Sequence, residues 1–228
     1  MSKQALIVFA KPPVPGKVKT RLSERLSPEG AATLYKAFLY DALSQYTSLG
    51  VAVRLYVAGP EASVAPFVEQ NEKVTVHTQS GPSLGKRMAR AFVDTFASGF
   101  ERCVIIGTDH PTLPSSFIQK GFDCLDVRRS LVLGPSSDGG YYCLGMNDYF
   151  PEVFHEMSYS HGEVFNQTLS RAERAGAAIS VLPPWYDVDE SADLDQLLHD
   201  LEEMPATVAP ETRQALHTLG LLESTPHV

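Results

Sequence analysis

The 228-residue chain has only three cysteines, no long apolar run and no surplus of positive charge, and each shortage excludes something. Cys103, Cys124 and Cys143 are odd in number, lie in apolar segments and lack metal-ligand spacing. They read as reduced, buried thiols of a cytosolic protein, not as a disulfide framework or a zinc site. No stretch approaches the roughly 18 apolar residues that a membrane span needs. Only six apolar residues precede Lys11, too few for the core of a signal peptide, so the expected location is the cytoplasm. Nineteen Lys and Arg against 27 Asp and Glu give a net charge of -8, which argues against nucleic-acid and anionic-membrane partners. Neither a Walker loop nor a Gly-x-Gly-x-x-Gly turn is present. Repeats, low-complexity tracts and a clear linker are also missing. The expectation is one domain over residues 1–204, followed by a weakly helical tail over 205–228 that frays.

What is present is ordinary for a globular protein, with 43% hydrophobic and 20% charged residues. Strand-like runs alternate with helical patterns, which predicts an α/β sheet with covering helices. Ala5–Phe9 reads as the first strand. Ser27-Pro28-Glu29 then supplies a cap, a first-turn proline and an acidic first turn. Leu34, Phe38, Ala42 and Tyr46 line one face of the helix that follows, and Gly50 ends it. Further strands are expected at 51–57, 74–76, 103–106, 131–133, 141–146 and 178–182. The 103–106 run is apolar throughout, the mark of a central strand. Helices are expected at 84–96, 115–125, 162–175 and 191–203, with Met88, Ala91, Phe92 and Thr95 facing inward on the first of these and Ser191 a candidate cap for the last.

The segment after the first strand reads Lys-Pro-Pro-Val-Pro-Gly-Lys-Val-Lys-Thr-Arg-Leu from Lys11 to Leu22. Four cations crowd one stiff loop of an acidic protein. Prolines restrict its backbone and Gly16 lets it turn tightly. Such a loop suits a polyphosphate, whose oxygens lysine meets as a point charge and arginine as a planar fork. A solvated basic loop is the plainer reading.

Three acidic signals follow. Asp109 lies just past the 103–106 strand, where ligands of open α/β sheets bind. It suits a hard divalent cation shared with substrate phosphates, or else it caps the helix near Ser115. Its neighbour His110 reads as a ligand, a proton donor or a loop residue. Asp138-Gly139-Gly140-Tyr141-Tyr142 is either a tight turn or a turn whose tyrosines meet a sugar or a base. Asp187 and Asp189 fall on one side of a short extended segment. Together, a cationic loop, a strand-end aspartate and Asp-x-Asp describe a clamp for a metal-bound diphosphate.

These segments, taken in order from Ala5 to Leu194, resemble the nucleotide-diphospho-sugar transferase superfamily with its glycosyltransferase-A fold. The bacterial glycosyltransferases associated with arsenosugar biosynthesis or radical-SAM/selenodomain proteins are the nearer match. Phe9 to Leu22 is the most specific string, followed by Leu84-Gly85-Lys86-Arg87-Met88, Gly107-Thr108-Asp109 with Pro111, Asp138 to Tyr142, and Asp187-Val188-Asp189. The sequence departs from the family pattern at Ser83, Lys86 and His110. The resemblance implies a three-layer α/β/α sandwich with a mixed, mostly parallel sheet. It implies nucleotide phosphates on Lys11, Gly16, Lys17, Lys19, Arg21 and Arg87, with Mg²⁺ or Mn²⁺ on Asp109 and Asp189. The acceptor is expected near Gly139, Gly140 and Tyr141, with Asp138 or His110 as the base. The implied activity is metal-dependent glycosyl transfer from a nucleotide-sugar donor to a small acceptor. Nucleotidyl transfer from an NTP to a phosphorylated small molecule, with release of pyrophosphate, is the alternative.

Overall fold

The computed structural model describes residues 3–68, 73–159 and 161–222. Its frame is one seven-stranded sheet. The strands are β1 (Gln4–Ala10), β2 (Ala52–Val57), β3 (Val74–Thr78), β4 (Arg102–Ile106), β5 (Ser130–Pro135), β6 (Tyr141–Met146) and β7 (Ala178–Val181). They are ordered β3-β2-β1-β4-β6-β5-β7. Every pairing is parallel except those of β6, which runs antiparallel to both β4 and β5. β1 and β4 sit centrally, which explains their unbroken apolar runs: side chains alternate and both faces are covered.

Leu6 and Val8 of β1 pack on one face with α1 (Pro28–Ser48) and α4 (Ser115–Asp123), through Leu39, Tyr46, Ile118 and Phe122. Ala5 and Ile7 pack on the other face with α3 (Leu84–Ala97) and α5 (Val164–Arg174), through Met88, Phe92 and Ala172. The one-turn α2 (Ala65–Val68) precedes β3. The result is the mixed, mostly parallel α/β/α sandwich that the resemblance implied. As expected, Ser27 caps α1 by accepting from the Gly30 amide at 3.1 Å, and Gly50 follows the helix with φ +75°.

A third apolar cluster lies outside the α1 layer. There Leu34 and Phe38 meet α6 (Ser191–Glu203) and α7 (Pro210–Thr218) through Leu194, Leu197 and Leu216. Val18, Leu22 and Leu26 of the cationic segment join the same cluster. At about 1.5–3 kcal/mol for each large apolar side chain buried, these three anchor the loop firmly.

Two expectations are corrected here. The cap of α6 is Glu190, not Ser191; it forms a reciprocal capping box with Asp193, which leaves Ser191 as the first helical residue. The segment after Pro205 is also tied down rather than frayed as far as α7. Buried Asp41 of α1 accepts from the amides of Glu211 and Thr212 at 3.1 and 2.8 Å and from the Thr212 hydroxyl at 2.6 Å. Residues 223–228 of the expected tail lie outside the described residues.

Candidate functional site

Parallel strands β1, β2 and β4 end on the same edge, and the connections leaving them converge there. The β1 loop turns twice, with the Val14 amide donating to the Pro12 carbonyl at 2.8 Å and the Lys17 amide to the Val14 carbonyl at 3.0 Å. Gly16 at φ +71° completes the second turn. A short 3-10 turn over Thr20–Leu22 follows. Because Val18 and Leu22 face the core, Lys17 and Arg21 are thrown outward. Lys11 is also exposed, while its amide donates to the Tyr35 hydroxyl at 2.9 Å.

Lys19 does something different. It sits in the left-handed region at φ 49° and turns its side chain inward. There its ammonium pairs with Asp109 and, at 2.8 Å, with Asp189. Burial opposes its charge, but the two carboxylates more than offset that and hold its pKa well above the ordinary lysine value. An internal cation therefore already lies between the two carboxylates and offsets their mutual repulsion.

The meeting of Asp109 and Asp189 has a backbone cause. The Val188 amide donates to the Asp109 carbonyl at 3.0 Å, fastening the 185–190 segment to the end of β4. The Asp193 carboxylate, accepting from the Asp189 and Glu190 amides at 3.0 and 2.7 Å, fixes the far side. Asp109 does not cap α4, whose cap position is Pro114. The Asp187 carboxylate accepts from the Ser136 hydroxyl at 3.0 Å and pairs with His110 Nδ1 at 3.0 Å. His110 is thus no loop histidine. It is buried; desolvation disfavours its charged form, yet Asp187 and Asp109 raise its pKa. Asp187 is lowered in turn, because His110 outweighs its burial. His110 Nε2 lies 3.4 Å from where a Gly107 Cβ would stand, at the inner edge of ordinary van der Waals contact.

Two cavities open at this edge. One of about 310 Å³ is walled largely by Phe9, Ala58, Leu84, Met88, Ile105 and Tyr141, with Gln79 and Arg87 as polar features. Gln79 is locked by donating to the Ala10 and Tyr56 carbonyls at 3.1 and 3.0 Å, and Arg87 donates to the Gly81 carbonyl at 3.3 Å. The other, of about 440 Å³, is lined by Lys17, Thr20, Arg21, Asp138, His161 and Gly162. Lys11, Lys19 and Asp189 line both. Asp109 lines the first, and Asp138 reaches the second while accepting from the Gly140 amide at 2.8 Å. Gly139 and Gly140 form the turn behind it. Gly139, at φ +84°, packs so closely on the Gly162 carbonyl that only glycine fits. The Tyr141 hydroxyl is directed away from solvent, toward Met88 sulfur at 3.9 Å and the Tyr159 hydroxyl at 3.4 Å.

Gln79, Tyr35, His161 and the Asp187 partnership with His110 were not anticipated. Only Asp187 carried a signal, its spacing from Asp189. For a divalent cation, Asp109 and Asp189 supply hard oxygen donors whose side chains remain 36% and 48% exposed. Among the described residues no group of three or more His, Cys, Asp or Glu side chains could hold a metal. The pair fits the kind of site that substrate phosphate oxygens complete.

A mixed seven-stranded sheet with a cationic loop after β1 and carboxylates at its strand ends defines a nucleotide-diphospho-sugar transferase fold. The family described as an uncharacterized protein conserved in bacteria (DUF2064) matches residues 42–161, and the chain belongs to it. The crystal structure of a protein from Desulfovibrio desulfuricans G20, provisionally described as a nucleotide-diphospho-sugar transferase, is 30% identical. That match covers 98% of this chain and 100% of the other, with a TM-score of 0.86. A nucleotidyl transferase from Methanothermobacter thermautotroptrophicus shares the fold at 12% identity and TM-score 0.57, over 89% of this chain and 99% of the other. So does the manganese complex of Rv0371c from Mycobacterium tuberculosis H37Rv, at 16% identity and TM-score 0.53, over 87% and 98%. No curated protein matches the chain. By the relationship at 30% identity the chain is an enzyme of the transferase class. Among the described residues no helix is long and apolar enough to cross a membrane.

Proposed function

We propose that the protein transfers a sugar from a nucleotide-sugar donor to a small acceptor, using Mg²⁺ or Mn²⁺. The observation that carries this reading is the junction of the two cavities at Lys11, Lys19 and Asp189. One donor molecule has an amphipathic nucleoside part and a diphosphate part. The first cavity offers apolar walls, locked Gln79 and Arg87 to the former; the second offers Lys17, Arg21 and Lys11 to the latter. A divalent ion held by Asp109 and Asp189 together with phosphate oxygens would supply Lewis-acid neutralisation of the departing diphosphate. The chain's own cations do the same work from the other side, as preorganised charges aimed where charge develops.

In this reading Asp138 is the general base, since its carboxylate faces the polar cavity. His110, buried and tied to Asp187, serves as a positioning residue for the strand-end segments rather than as the base. The acceptor approaches past the Gly139–Gly140 turn and Tyr141. It belongs to the small molecules handled by the arsenosugar-associated relatives, on the strength of the motif strings alone. Residues 1–204 form the transferase unit, with α7 as its buttress. The 30% identical relative's description and the manganese complex of a fold neighbour support the reading.

Nucleotidyl transfer is the second reading. Lys11, Lys17 and Arg21 with Thr20 give the polar cavity enough donors for a triphosphate, and a fold neighbour is a nucleotidyl transferase. Product analysis separates the two: nucleoside diphosphate release supports glycosyl transfer, and pyrophosphate release supports the alternative. Asp109→Asn is expected to abolish Mn²⁺-dependent nucleotide binding with the circular dichroism spectrum unchanged. Unaltered calorimetric affinity would remove Asp109 from the site.

A further inference from the structure

We propose that Lys19 is a specificity-determining positioning residue. Its ammonium, seated between Asp109 and Asp189, makes the carboxylate pair refuse a free divalent cation and accept one only in company with a polyphosphate. This inference rests on the metal-nucleotide reading above and concerns what the site does before nucleotide arrives.

The geometry sets Lys19 apart from the other cations of its loop. Its side chain is only 3% exposed, whereas Lys11, Lys17 and Arg21 stand out in solvent. Val18 and Leu22, both buried, pin the backbone on either side of it. The rings of Tyr35 and Phe38 lie 5.9 and 5.6 Å from the ammonium, so the charge is held in a fixed aromatic-walled place. From there it bonds one oxygen of each carboxylate, both Oδ1. The carboxylates keep substantial exposure toward the cavities, so their remaining surface faces incoming ligand.

Two consequences follow. Lys19 gathers the carboxylates at one spacing without any added ion, so they are preorganised. It also cancels half of their charge, leaving the trio with a single net negative charge. A hard dication gives up water reluctantly and is held where anionic oxygens outweigh that cost. With a resident ammonium sharing both carboxylates, and with Lys11, Lys17 and Arg21 close by, a naked dication meets too little negative charge. A polyphosphate brings the missing charges and further oxygen ligands, and the same loop cations attract it. The cleft therefore selects the ion by what the ion carries.

The test uses the full chain and Mn²⁺ alone, read by electron paramagnetic resonance of the unbound ion at low salt. A unit charge and a double charge interacting across a shared carboxylate, on a scale of about 5 Å, change an affinity by about tenfold or more even at the dielectric of water. Lys19→Met is thus expected to bind free Mn²⁺ at least about tenfold more tightly than wild type. The gain should vanish when Asp109→Asn is added, which places the ion at the pair. Lys19→Arg, which keeps the charge, should bind as weakly as wild type. If Lys19→Met fails to fold by circular dichroism, Lys19→Gln keeps a donor between the carboxylates without the charge and should show the same gain. Free Mn²⁺ affinity in the folded neutral variant that equals or falls below wild type overturns the inference. Calorimetry of wild type with a Mn²⁺–nucleoside diphosphate mixture is a separate arm. Lack of binding there sinks the proposed function, whatever Lys19 does.

Discussion

Lys17→Ala and Arg21→Ala separate a phosphate-gripping loop from a loop that only shapes its surroundings. Both side chains are exposed and point away from the apolar cluster that anchors the loop through Val18 and Leu22. The folded state loses little with either. Lys17 is solvent-facing, and Arg21 meets Glu190 at 3.4 Å with both side chains about two-thirds exposed, at 66% and 64%. Pairs of that kind contribute about 0–1 kcal/mol. Binding is another matter. A charge-assisted hydrogen bond to phosphate contributes roughly 1.5–3 kcal/mol, a loss of about tenfold to somewhat over a hundredfold in affinity for each variant. Calorimetric titration with nucleoside, nucleoside monophosphate and nucleoside diphosphate reads this directly, and urea unfolding checks the fold. Diphosphate affinity should fall by that amount, nucleoside affinity should hold, and the unfolding free energy should move by no more than about 1 kcal/mol. Equal losses for nucleoside and diphosphate would refute the reasoning, because a nucleoside has no phosphate for these cations to meet.

Three further outcomes are expected. Asp41→Ala removes the acceptor of three hydrogen bonds at the start of α7 and should cost about 2–4 kcal/mol in urea unfolding, with hydrogen exchange in 210–218 rising before that of β1. Unchanged protection there would mean α7 is held by its apolar face alone. Gly139→Ala forces a side chain onto the Gly162 carbonyl at a positive φ; it should lower the melting temperature and weaken diphosphate binding together, and an unaffected protein would contradict the close approach. Burial pushes the Cys103 and Cys143 thiols up to about 12, so at pH 8 they stay protonated while the native protein holds. Mass spectrometry after native alkylation should find label on partly exposed Cys124 before the other two, and the reverse order would refute their burial.

The sheet was legible because its signals are local. β1 and β4 announce themselves as continuous apolar runs, and α1 carries its cap, its proline and its terminating glycine within its own sequence. Signals that depend on distant partners were not legible. The cap of α6 is an exception, a local signal overlooked because serine is the commoner capping residue while Asp193, three positions on, closes the box on Glu190. Nothing near Pro210 reveals that Asp41, far away on α1, holds that helix's first turn. The loop cations make the same point. Lys17, Lys19 and Arg21 alternate along the chain, yet backbone turns at Gly16 and Lys19 break the alternation, so composition cannot tell which one turns inward. The left-handed conformation at Lys19, unusual for a lysine, sends it to the two aspartates. The role of His110 stayed open between ligand, proton donor and loop residue because its partner, Asp187, follows 77 positions later in the numbering.

The antiparallel strand β6 has a consequence for how the chain emerges during synthesis. β5 touches no earlier strand; its neighbours in the sheet are β6 and β7, both made after it. A nascent chain ending at residue 135 therefore holds a largely apolar strand with no strand partner, until β6 slots in beside β4 and carries β5 with it. Synthesis runs at roughly 5–20 residues per second, and Asp189 lies 80 positions beyond Asp109. For several seconds neither Asp189 nor the α6 and α7 side chains that pack on Val18 and Leu22 exist, so of its two carboxylate partners Lys19 has only Asp109 within reach.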